Sequence, residues 1–144
     1  MDSPMKSNPY WLAVLFALTL IACGPSDPPA DDDDDVPIEN FEDIQNEIFT
    51  PSCTFVSCHG ATLPPNNLSL LQGDACGALV NVQSFSVSDD RVEPNDPDNS
   101  FLYLKITGPL GPFEGQLMPS AGGGLSQKKI DAIYDWINNG AICP

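Results

Sequence analysis

Two cysteines and a histidine stand within one short stretch, Cys53-Thr54-Phe55-Val56-Ser57-Cys58-His59. Thiols in this order can add to the vinyl groups of a porphyrin, and an imidazole directly behind the second thiol can ligate the iron. The usual spacing for that chemistry is C-x-x-C-H. Here four residues separate the cysteines, so two extra residues must bulge away from the ring. His59 is the only histidine in the chain, and it falls directly after the cysteine pair.

Other chemistries suit these residues less well. Zinc would find three ligands in Cys53, Cys58 and His59, but adjacent Cys58 and His59 make a poor tetrahedral pair, and there is no second histidine. A cysteine nucleophile wants a histidine base reached across the fold, not the next residue. The carboxylates Asp89-Asp90 sit in a polar stretch and read as solvated. The run Asp31 to Asp35 lacks the glycine and ligand spacing of a calcium loop and reads as a spacer. No catalytic residue is expected, and the chain does not read as an enzyme.

The surrounding sequence must position the cysteines and the histidine. The chain has 144 residues and a net charge of -15, with five basic residues against twenty acidic ones. Nucleic acid is excluded as a partner, because neutralising phosphates needs clustered Lys and Arg. Fifteen prolines and eleven glycines predict a loop-rich domain with few long elements, and the helical periodicity of its apolar residues makes its class mostly α. Lys6 and the apolar run Trp11 to Ala22 have the form of a signal peptide over 1–22, too short to span a bilayer comfortably. Residues 23–37, rich in Pro and Asp, read as a disordered tether, and the folded domain covers 38–144. In that domain Asn40 predicts a helix cap, with Phe41, Ile44 and Ile48 on one face and Pro51 as terminator. Asp96-Pro97 predicts a second helix start, with Phe101 and Leu104 facing inward and Gly108-Pro109 as its end. Ser126 predicts the cap of a last helix to about Asn138, burying Ile130, Ile133, Tyr134 and Ile137 with Trp136 at the edge. The segment 75–87 fits a short helix at Ala78-Leu79-Val80 or a strand through Phe85 and Val87.

Leu20-Ile21-Ala22-Cys23 resembles the lipobox of bacterial lipoproteins. The resemblance implies cleavage before Cys23, lipid on that cysteine and, since Gly24 rather than Asp follows, an outer-membrane anchor facing the periplasm. The folded part resembles small monohaem cytochrome c domains, and more narrowly the cytochrome c-like lipoprotein domains of soil proteobacteria. The resemblance runs from about Phe41 to Ala141. It is carried by Phe49-Thr50-Pro51-Ser52-Cys53, Cys58-His59-Gly60, Asp96 to Leu102, Leu117-Met118-Pro119 and Trp136 to Ala141. It implies haem c bound covalently by Cys53 and Cys58, with His59 and Met118 as axial ligands. A His/Met pair leaves no open coordination position and suits electron transfer. Met118 is the one methionine left once Met1 and Met5 go with the signal peptide. The family also implies a proline carbonyl, of Pro64 or Pro65, on the second nitrogen of His59.

With lipid on Cys23 and haem on Cys53 and Cys58, Cys76 and Cys143 remain to form a disulfide in an oxidising compartment. Without haem the same four cysteines allow three pairings, and Cys53–Cys58 with Cys76–Cys143 is the most local. Two functions therefore stand as expectations. One is a lipid-tethered electron carrier whose acidic surface meets a redox partner with a basic face. The other is a haemless, disulfide-stapled domain with a structural or interaction role.

Overall fold

The computed structural model describes residues 37–121 and 123–144. Cys23, the signal peptide and nearly all of the tether lie outside the described residues. Among those residues no helix is long and apolar enough to cross a membrane.

Helix is the dominant regular structure of the described residues. Five α-helical elements follow in order: α1 (Phe41–Ile44), α2 (Thr50–Cys53), α3 (Ala75–Leu79), α4 (Phe101–Thr107) and α5 (Gln127–Asn138). A π-helical turn, Gln45–Phe49, joins α1 to α2, and 3-10 turns occupy Pro65–Asn67 and Pro97–Asn99. Extended pairing among the described residues is limited to two isolated bridges, Val80 with Val92 and Gln83 with Asp90. The ambiguous segment thus resolves into helix α3 and then bridged loop.

Asn40 caps α1 as its sequence predicts. Its side chain accepts from the amides of Glu42 and Asp43, and the Asp43 carboxylate reaches back to the Asn40 amide. The expected end at Pro51 is wrong. Thr50 is helical, and the chain continues through Pro51 to Cys53. A proline inside an α-helix clashes with the carbonyl four residues back and lacks an N–H to give. The π-helical turn shifts the ladder by one residue, so Thr50 N–H bonds Gln45 O. Pro51 then falls in the first turn of α2, where no intrahelical donor is needed.

Phe41, Ile44, Ile48 and Phe49 join Leu79, Val92, Ile106, Ile133 and Ile137 in one core. The last helix runs from Gln127 to Asn138 as predicted, but its buried stripe is rotated. Trp136 is buried and lies 5.1 Å from the Phe41 ring, while Ile130 and Tyr134 are only half-buried. The indole N–H of Trp136 donates to Ile142 O at 3.0 Å, which satisfies its polar edge inside the core. In α4, Phe101 and Ile106 are buried, whereas Leu104 is half-buried. Tyr103 meets Tyr134 of α5 edge to face at 5.3 Å. Cys76 and Cys143 are joined by a disulfide, Cα to Cα 5.9 Å, which pins the C-terminus to α3.

Candidate cofactor site

The extended helical run delivers Cys53 to the wall of a cavity. Thr54 then leaves the helix, and the four residues between the cysteines fold back as a tight turn. Its bonds are Cys58 N–H to Phe55 O at 2.8 Å, Gly60 N–H to Phe55 O at 3.3 Å and His59 N–H to Cys53 O at 3.0 Å. The insertion therefore closes on itself, and Phe55 and Val56 project outward. Gly60 is required by close approach and not by conformation. Its φ lies outside the left-handed region, yet a Cβ there would collide with the carbonyl of Thr54.

His59 is held at three points. Besides the amide bond to Cys53, its carbonyl accepts from Leu70 N–H at 2.9 Å, and its Nδ1 donates to Leu68 O at 2.9 Å. The expected proline carbonyl is thus replaced by that of Leu68. Pro64 and Pro65 lead into the 3-10 turn, whose Asn66 and Asn67 have positive φ, and that turn brings Leu68 beneath the ring. With Nδ1 committed, the lone pair available to a metal is on Nε2. Gln45 adds support from the π-helical turn, donating to Leu70 O at 3.0 Å.

Met118 approaches from the glycine-rich loop after α4, where its amide donates to Lys105 O at 2.7 Å. Cys53, Cys58, His59 and Met118 all line one cavity of about 360 Å³, within the range of cofactor pockets, roughly 300–1,000 Å³. Its walls include the apolar side chains of Leu68, Leu70, Leu79, Phe101 and Ile106. Phe55, Phe85 and Phe113 stand on its rim, 56%, 72% and 85% exposed, an amount of bare aromatic surface that a flat apolar ligand would cover.

Both thiols are free. Burial, with the nearby Cys58 charge second, pushes the Cys53 thiol up to about 11. Among the described residues no three His, Cys, Asp or Glu side chains gather as a metal-binding group. Any metal here would need Met118 or a ligand brought with it.

Two cations in the lining were not singled out from the sequence. Arg91 is buried and donates to Ala78 O at 2.7 Å and to Asn66 O at 2.8 Å. Burial holds its guanidinium below the ordinary value. Lys105 is half-buried and likewise bonds backbone carbonyls. Their partners are backbone carbonyls, which leave no mark on residue identity, so the sequence offered no signal for either role.

Comparison with protein-family models, curated proteins and solved structures gives no match for this chain.

Proposed function

We propose that the protein is a lipid-tethered periplasmic electron carrier whose cavity holds haem c. The observation that carries the reading is the convergence of Cys53, Cys58, His59 and Met118 on one apolar cavity from two segments far apart in sequence, the stretch 53–59 and the loop that bears Met118. The donor set fits the group. Two free thiols suit thioether bonds, an imidazole with Nδ1 already committed suits one axial position, and a thioether suits the other. Haem bound this way supplies a one-electron Fe(II)/Fe(III) couple.

The chain's own residues then have plain tasks. Cys53 and Cys58 would tie the ring to the polypeptide, His59 and Met118 would supply the donors for its iron, and the apolar wall would keep water away. Two such protein donors would favour carriage of an electron over chemistry on a bound substrate. The net charge of -15 favours a partner with a basic face and an association that weakens as salt rises. The anchor is Cys23, through the lipobox resemblance. The Cys76–Cys143 disulfide belongs equally to the haemless alternative and does not choose between the two.

The test is an absorption spectrum of the oxidised and dithionite-reduced protein from cells able to mature c-type haem, together with a haem-stained denaturing gel. A c-type spectrum and stain that survives denaturation are expected. A colourless protein would sink the electron-carrier reading.

A further inference from the structure

We propose that Lys105 is the positioning residue for Met118, clasping the loop that carries the thioether to the cavity. The inference rests on the haem reading for what Met118 does, and on hydrogen bonds alone for how it is held.

Lys105 lies in the last turn of α4 and grips the loop at both of its ends. Its carbonyl accepts from Met118 N–H at 2.7 Å. Its Nζ donates to Glu114 O at 2.8 Å and also to Gln116 O. Three bonds thus run from one helical residue to the short stretch 114–118. The bonds between Gly111 and Glu114 lie within the loop and shape it without attaching it to a helix.

The loop is built to receive an ammonium. Gly115 stands between the two acceptor carbonyls at φ +78°, a left-handed conformation that side chains rarely adopt. A Cβ at that position would lie 3.4 Å from Nζ, an ordinary contact, so it is the turn of the backbone that calls for glycine here. The ammonium also lies 5.9 Å from the centre of the Phe101 ring, a cation–π distance. A compact point charge with three rotatable donors suits two carbonyls that converge on it.

On the haem reading the clasp would matter because a thioether is a soft donor and oxidised iron is the harder acceptor. The loop would then have to keep Met118 in place, and a loose loop would let water or an added ligand compete.

The decisive comparison uses the full haem-bearing chain as wild type, Lys105→Leu, Lys105→Arg and Met118→Ala. Lys105→Leu removes both Nζ bonds without bringing a sulfur to the cavity wall that Lys105 lines, whereas Lys105→Arg keeps donors and charge. Three properties are read: the sulfur-to-iron charge-transfer band of the oxidised form, carbon monoxide binding by the reduced form, and amide exchange over 113–118. For Lys105→Leu we expect a weakened band, carbon monoxide binding approaching that of Met118→Ala, and exchange over 113–118 about tenfold faster with core amides unchanged. Lys105→Arg should stay near wild type. A Lys105→Leu protein with the wild-type band and no carbon monoxide binding would overturn the proposal, as would equal loss in Lys105→Leu and Lys105→Arg with exchange raised throughout the core. Failure of the haem reading shows separately, as a wild type without haem, which removes the role given to Met118 before any variant is compared.

Discussion

Cys53 shows how burial sets the chemistry of a single side chain. Its thiol is pushed up to about 11 against a usual 9.0, so the folded chain keeps that proton after an unfolded chain has lost it. Between those two values rising pH therefore favours the unfolded state, and stability falls through that window. In haem-free protein at pH 8, Cys53 should alkylate about a hundredfold more slowly when folded than in urea, because the thiolate is the nucleophile. The gap should narrow as pH approaches 11. Equal rates at pH 8, resolved by peptide mass mapping, would rule out the buried thiol. That Cys53, Cys58, His59 and Met118 line one cavity could be anticipated from the spacing of the cysteines and the scarcity of His and Met. Leu68 could not, because its contribution is a backbone carbonyl and leaves no mark on residue identity. Lys105 was equally hidden, since what it binds is again main chain.

The turn between the cysteines is the element that makes an unusual spacing workable. Cys58 and Gly60 both donate to Phe55 O, and His59 donates to Cys53 O, so the added residues are absorbed locally. Gly60 packs its bare Cα against Thr54, and Gly60→Ala should cost at least about 2 kcal/mol in denaturant unfolding, since backbone lies on both sides of the clash. A midpoint equal to wild type would show that the turn relaxes freely. The helix before this turn was readable at its start, where Asn40 and the spacing of Phe41, Ile44 and Ile48 agree. Its end was not readable. The rule that proline stops a helix presumes α geometry, and a π-helical turn over Gln45–Phe49 changes the register on which the rule depends. Trp136 was misplaced for a different reason. Its burial depends on Phe41 and on Ile142 O, partners that helical periodicity within α5 cannot reveal.

At the scale of the whole molecule, the chain combines a small core with a long span of loop, and the Cys76–Cys143 disulfide closes 67 residues of it. Restricting the unfolded chain over that length is worth about 4 kcal/mol in the chain-entropy picture. The double variant Cys76→Ser, Cys143→Ser should lose stability of that order in denaturant. A loss below about 1 kcal/mol would mean that α3 and the C-terminus are held by packing alone. The mostly α class followed from helical periodicity, with caps such as Asn40 marking where helices begin. The choice of which loops meet around the cavity is a long-range matter, and only the folded chain displays it.

The three-point hold on His59 has a consequence for the rate at which an electron could move. The backbone of His59 is tied at its amide and its carbonyl, and the Nδ1 bond to Leu68 O restrains the ring on that fixed base. On the electron-carrier reading, such a ring would keep one orientation in both oxidation states. Little of the protein would then have to rearrange when charge arrived or left, and a low reorganisation energy would follow from the backbone around a single side chain.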